Sequence, residues 1–167
     1  DPTAFADPLP GSDCDLGACP GVLVVEADRE AHEGELLAPA GPFTVTNSFS
    51  LTNGANGFME IGLAADDVPL FAPTEVEDFQ TGAIGERTAY NSAHAITLDD
   101  GSSQNYTTSS SGVPMPWLTA GHTVRVGAAA TFQSPVVLEY RNNGWRLQPR
   151  SQVTDTGAGT VTFEQNR

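Results

Sequence analysis

An all-β fold is predicted by short runs of residues that alternate apolar and polar side chains at a period of two. Three observations carry this. Residues 42–51, PFTVTNSFSL, alternate β-branched and aromatic with polar side chains, and 58–64, FMEIGLA, alternate again after the turn-forming cluster NGANG, which predicts a hairpin. Runs of the same kind return at 94–100 (HAITLDD), 122–132 (HTVRVGAAATF), 136–141 (VVLEYR) and 144–149 (GWRLQP). Only 26–37, EADREAHEGELL, has helical character, and Gly34 limits it to a turn or two.

With 167 residues the chain has room for one domain with a sizeable core and not for two comfortable ones. Residues 1–25, dense in Pro, Gly and Asp, read as an extended N-terminal arm. Residues 26–153 read as the β-domain, and 154–167, with the run TVTFEQ, as a last strand or linker leading out of it. Segments 65–93 and 101–120 mix Ser, Thr, Pro and Gly and are expected to be long connections, which in compact domains are usually functional or mobile. No apolar run approaches the ~20 residues of a membrane-spanning helix, so a soluble chain without a membrane partner is expected. The first residue is Asp1, which predicts a mature secreted product or a piece of a longer protein.

Charge is unevenly spread. The formal net charge is -14, all seven basic residues are arginine, and 21 residues are acidic. Residues 1–100 hold 18 acids and two arginines (net -16), whereas 101–167 hold three acids and five arginines (net +2). Such a surface repels nucleic acid on average, yet it leaves room for a local anion site in the C-terminal third. The alternative is that the acidic bias reflects adaptation to salt or coding bias.

Cys14 and Cys19, in DCDLGAC, are separated by turn-forming residues, and a local disulfide is the simplest reading. Two free thiols are the second reading. A metal site is the third and lacks a second Cys or His pair to complete a tetrahedral set. A disulfide would place the protein outside the cytosol.

The hairpin 136–150 carries the candidate binding residues. A type I′ loop at Asn143-Gly144 would set Arg141 opposite Arg146, Tyr140 opposite Leu147 and Glu139 opposite Gln148. Val136, Leu138, Tyr140, Trp145 and Leu147 then share one face, and Glu139, Arg141, Arg146 and Gln148 the other. A three-residue loop would mix apolar and charged groups on both faces, so burial favours the two-residue register. Two readings of the arginines stay open. They hold a phosphate as guanidinium forks, with Arg125 and Arg150 extending the stripe, or Glu139 neutralises them in a surface salt bridge worth under ~1 kcal/mol.

Catalytic constellations are sparse. His32, His94 and His122 lie in separate segments without metal-ligand spacing, and there is neither a nucleophile elbow nor a glycine-rich phosphate loop. Asp99 and Asp100, in LDDGSS, are weak candidates for a divalent cation, and an Asx-type turn is the commoner use of Asp-Gly after a strand. DDVP (66–69) reads the same way, and DCDLG lacks the glutamate that closes a calcium loop. No catalytic residue is assigned.

The series EGELLAPAGPFTVTNSFSL, EIGLA, PTEV, AITLDDGSS, VRVG and WRLQP, in that order from about Glu33 to Pro149, resembles a known family. It is similar to the non-catalytic β-domain that precedes the catalytic domain in secreted bacterial nucleases of the endonuclease–exonuclease–phosphatase superfamily. The resemblance implies an OB-fold-like small Greek-key barrel of a kind that often carries nucleic acid, and an extracellular location. Joined to the hairpin reading, it makes Arg125, Arg141, Arg146 and Arg150 the candidates for contact with DNA or RNA, a contact that the acidic charge would keep weak. It also implies neighbouring domains of the same polypeptide as partners. No cofactor is implied for these residues, and a divalent metal only for the parent's catalytic domain. The sequence departs from the family where Ala128 follows RVG in place of the usual Gly-Asp and where AAATFQSP replaces a glycine-rich strand. The alternative function is a structural or protein-interaction module that packs on its neighbours without touching nucleic acid.

Overall fold

The structure, a computed structural model, describes residues 23–52, 57–78, 82–108 and 112–165. Cys14 and Cys19, with most of the expected arm, lie outside the described residues. Leu23, assigned to the arm on composition, is 3% exposed and belongs to the core.

The predicted short helix is α1 (Glu26–Ala31), and Gly34 at φ +82 follows its end. After it come β1 (Leu36–Leu37), β2 (Thr44–Asn47), α2 (Phe49–Thr52), β3 (Ile61–Ala64), α3 (Pro73–Val76), α4 (Ala83–His94) and β4 (Ala95–Leu98). The chain closes with β5 (Ala130–Phe132), β6 (Val136–Arg141), β7 (Gly144–Pro149) and β8 (Val161–Phe163). Strands dominate, in a six-stranded sheet of order β1-β6-β7-β4-β3-β2 and a β5-β8 pair. All neighbours are antiparallel except β4 and β7, which run parallel at the centre. The outer edge of β2 is taken by the residues leading into β5: Gly127 N–H donates to Val45 O (2.8 Å), Val45 N–H to Ala128 O (2.9 Å) and Ala130 N–H to Phe43 O (2.8 Å).

Among the described residues the sheet stays open and does not close into a barrel, so the strand-rich class is observed and the small Greek-key barrel implied by the resemblance is not. One edge is β1, whose two residues pair with β6 alone and are too few to carry a second ladder. The run 122–132, expected as one strand, contributes only Ala130–Phe132, because a turn at Val126 and Gly127 (φ +88) breaks it. Within the tail the run expected as a last strand supplies one: β8 pairs with β5, and Phe163 is 4% exposed.

The largest departure is α4. It has 12 residues, none of them buried, in a segment expected to be a loop. Its sequence, AIGERTAYNSAH, supplies good helix formers but no apolar stripe, so periodicity has nothing to register. The helix is tied on by polar contacts. Arg29, 2% exposed, donates from Nη2 to Ala93 O (2.7 Å) and Ala95 O (3.3 Å), covering carbonyls at the helix C-terminus. Burial lowers the Arg29 pKa, and Glu26 opposes that shift.

The core lies on one sheet face, where the register puts apolar side chains in a row across five strands: Val45 opposite Leu63, Leu63 opposite Ile96, Ile61 opposite Leu98, Leu98 opposite Leu147, and Leu147 opposite Leu138. All but Ile96 (3%) are fully buried. Trp117, also fully buried, belongs to the same core cluster and donates its indole N–H to Met59 O at 2.8 Å. Both ends of that bond sit at positive φ, +68 for Trp117 and +59 for Met59, a conformation that costs non-glycine residues about 1–2 kcal/mol each. The indole ring is seated on Gly157 (φ +69), where a Cβ would fall 2.4 Å from Trp117 Cε3. Gly157→Ala is therefore expected to lower the urea unfolding free energy by about 3 kcal/mol through clash and backbone strain. A loss under about 1 kcal/mol would contradict this seating of the ring.

Candidate functional site

The β6–β7 turn sets the geometry. Asn142 and Asn143 both have positive φ (53 and 61), as a type I′ turn demands of its two central residues. The loop therefore lies at 142–143, one residue earlier than expected. Gly144 opens β7 opposite Arg141, and Tyr140 pairs with Trp145. The expected pairing of Arg141 with Arg146 is corrected: Glu139 stands opposite Arg146, so opposite charges rather than like charges face each other. The division into an apolar and a polar face is unaffected. The two registers differ by two positions along the partner strand, and side chains alternate with the same period.

Arg146 points away from the core face yet is 7% exposed. Its Nη1 donates to Asp99 Oδ2 and to Glu60 Oε1, each at 2.5 Å, and its Nε donates to Arg141 O at 3.1 Å. Burial alone would lower its pKa. The bonds to Glu60 and Asp99 outweigh that and raise it. Asp99, 1% exposed, also accepts Arg141 Nη2 (3.0 Å) on Oδ2 and the Gly101 N–H (2.8 Å) on Oδ1. Arg141 approaches Glu139 Oε1 at 3.9 Å and keeps 42% of its side chain exposed.

Four predicted arginines thus divide. Arg141 and Arg146 come together and line an open groove of about 610 Å3 with Glu60, Asn142, Phe49 and Phe58. Arg150 is exposed and lines a separate polar groove of about 560 Å3 with Asp100, Tyr106 and Gln148. Arg125 lines neither, and its Nη1 donates to Gln165 O at 3.4 Å. No common arginine stripe forms.

Asp99 and Asp100 build successive Asx turns. Asp100 Oδ1 accepts the Ser102 N–H (3.0 Å) and Oδ2 the Tyr106 hydroxyl (2.7 Å), while Gly101 takes φ +76. Burial raises the Asp100 pKa, and the bonds from Tyr106 and Ser102 only partly offset it. Among the described residues no group of three or more His, Cys, Asp or Glu side chains is placed to hold a metal ion, and no helix is long and apolar enough to cross a membrane.

A second titratable cluster joins α4 to the end of β3. Tyr90 donates its hydroxyl to Asp66 Oδ2, and the Tyr90 and His94 rings stack at 3.7 Å. Burial pushes the Asp66 carboxyl up, but the hydrogen bonds from Tyr90 and Asp67 and the field of His94 outweigh it, so its pKa falls below the ordinary value.

Sequence reading missed Glu60, Phe49 and Phe58. Glu60 lies 86 residues from Arg146 and Asp99 lies 47, separations at which only the assembled sheet defines neighbours. The exposed Phe49 carries a weak local signal, an aromatic beside Asn47, whose Oδ1 accepts the Phe49 N–H at 2.8 Å. Compared with known proteins, the chain matches no family model, no curated protein and no solved structure.

Three substitutions separate the roles of the charged groups. Asp99→Asn leaves two arginines short of their shared carboxylate and is expected to cost about 3 kcal/mol in urea unfolding. Arg141→Gln, with a side chain half in water, should cost less than ~1 kcal/mol. Asp100→Asn should gain on the wild type with pH. A carboxylate whose pKa is raised by folding withdraws stability as pH climbs from the unfolded value of 3.8 through the raised one, and the amide lacks that penalty. Melting curves across that interval check it. A constant difference would mean that Asp100 is not held toward its protonated form.

Proposed function

We propose that these residues form a non-catalytic, OB-like accessory domain of a secreted nuclease, and that their arginine pair serves the fold before it serves any substrate. The observation that carries the second part is the engagement of Arg146 by Asp99 and Glu60, which leaves no fork to receive a phosphate. The first part rests on the resemblance, and the positions of its segments support it. EGELL contains β1, TVTN is β2, IGLA is β3, PTEV is α3, AITL with DDGSS is β4 and the two Asx turns, and GWRLQP is β7, whereas VRVG forms no strand and ends in a turn.

Contact with DNA or RNA then falls to Arg141 and Arg150 and is weak, because the chain as a whole carries -14. A divalent metal belongs to a separate phosphodiesterase domain of the same extracellular polypeptide. A second reading, a module that packs on neighbouring domains and never touches nucleic acid, is favoured by one observation. The α3–α4 excursion leaves Val68, Phe71 and Val76 42–46% exposed beside a helix with no buried residue.

Purified protein incubated with plasmid, single-stranded DNA and RNA in magnesium, calcium or manganese is expected to leave all three intact. Cleavage that survives repurification and disappears in the Asp99→Asn, Asp100→Asn double variant would overturn the non-catalytic assignment. Fluorescence anisotropy with oligonucleotides at low salt then separates the two readings. Weak binding whose salt slope reflects one or two contacts and drops in Arg141→Gln supports substrate contact, whereas a flat titration selects the packing module. A coding sequence without an adjoining metal-dependent phosphodiesterase domain would remove the nuclease assignment itself.

A further inference from the structure

We infer that the groove between α2 and the β6–β7 turn is a binding site for a neutral saccharide. This goes beyond the accessory-domain reading, competes with its nucleic-acid contact for Arg141, and rests on the groove's own chemistry. Two of the lining residues are aromatic: Phe49, 58% exposed at the start of α2, where its backbone N–H donates to Asn47 Oδ1, and the half-buried Phe58. The rest of the lining is polar and includes Glu60, Arg141, Asn142 and Ser103. A sugar ring presents an apolar C–H face and a rim of hydroxyls that donate and accept at once, which calls for an aromatic plane beside donors and acceptors set close together. The volume, about 610 Å3, lies in the range of small-molecule sites.

Charge decides between this ligand and an anion. Arg141 and Arg146 are balanced by Asp99 and Glu60 in the same cluster, so the groove has no surplus positive charge. A phosphate needs donors alone, and here it would meet the carboxylate of Glu60, 27% exposed, within a chain carrying -14. A neutral polyol meets no such repulsion and can use both kinds of group. Glu60 Oε2 and Arg141 Nη1 have no partner among the described residues, so an acceptor and a donor remain for a pair of adjacent hydroxyls.

The test titrates the isotopically labelled chain with short cello-, laminari-, chito- and malto-oligosaccharides, reading amide shifts by NMR, and in parallel with a mixed-sequence single-stranded oligonucleotide. At least one saccharide is expected to bind with Kd of about 1 mM, shifting Phe49, Glu60, Arg141 and Asn142, with an affinity unchanged by salt. Phe49→Ala should weaken it at least about tenfold at an unchanged melting temperature, because Phe49 lies outside the core. Phe49→Tyr should retain it. Silence across the whole panel, binding mapped elsewhere, or binding indifferent to Phe49→Ala overturns the proposal. So does salt-dependent oligonucleotide binding lost in Phe49→Ala, which would give the groove to nucleic acid instead.

Discussion

The parallel seam between β4 and β7 is the constraint on which the rest depends. The sheet is assembled from two pieces, the antiparallel run β2-β3-β4 and the run β1-β6-β7, and among the described residues their strands pair only there, through Thr97 opposite Arg146 and Leu98 opposite Leu147. A ladder that short is a weak connection, and Leu98 and Leu147 bind it only on the core face. On the other face Arg146 binds it. Its guanidinium, sent from β7, reaches Asp99 just beyond β4 and Glu60 just before β3, and its Nε holds the carbonyl that ends β6. One side chain therefore links four strands.

Such a link is costly to build, since desolvating ions takes back much of what their attraction supplies. Its value lies in what a slipped register would do. A shift of β7 by one residue would bury Arg146 in the leucine row and leave the buried Asp99 with only the half-exposed Arg141, so the ion pair penalises that alternative much more than it favours the native pairing. The same saturation fixes the electrostatics of the surface. With Arg146 committed to carboxylates and Arg141 sharing Asp99, the polar face presents balanced charge in spite of two arginines.

Away from the seam, two other regions are tied by single groups. Trp117 joins the core from a loop at positive φ, held by its indole bond to Met59 and by the space over Gly157. Helix α4 has no buried residue and leans on Arg29, Asn91 and the Tyr90–Asp66 bond for its place. Elements with little apolar burial open at low free energy. Residues 66–78 and 82–94 are accordingly placed by polar contacts more than by apolar burial.

The sequence by itself determined the strand-rich class, the short helix stopped near Gly34, the hairpin at 136–149 and the two faces of that hairpin, although Tyr140, expected on the core face, is 45% exposed. These follow from short-range rules: a period of two, a glycine at positive φ, and turn residues between alternating runs. The loop position inside the hairpin escaped, because Asn142-Asn143 and Asn143-Gly144 satisfy the same turn chemistry and give the same faces, and the observed register goes with the edge-to-face contact of Tyr140 on Trp145 and the bonds of Arg146 to Asp99 and Glu60. Helix α4 escaped because it buries nothing and so has no periodic stripe to read. Tertiary structure alone decided the open sheet, the parallel β4–β7 pairing and the site. Glu60, Asp99 and Arg146 are brought together by strand order across 86 residues of chain, and whether an arginine is a ligand-binding fork or an internal strut depends on which carboxylates that order sets beside it.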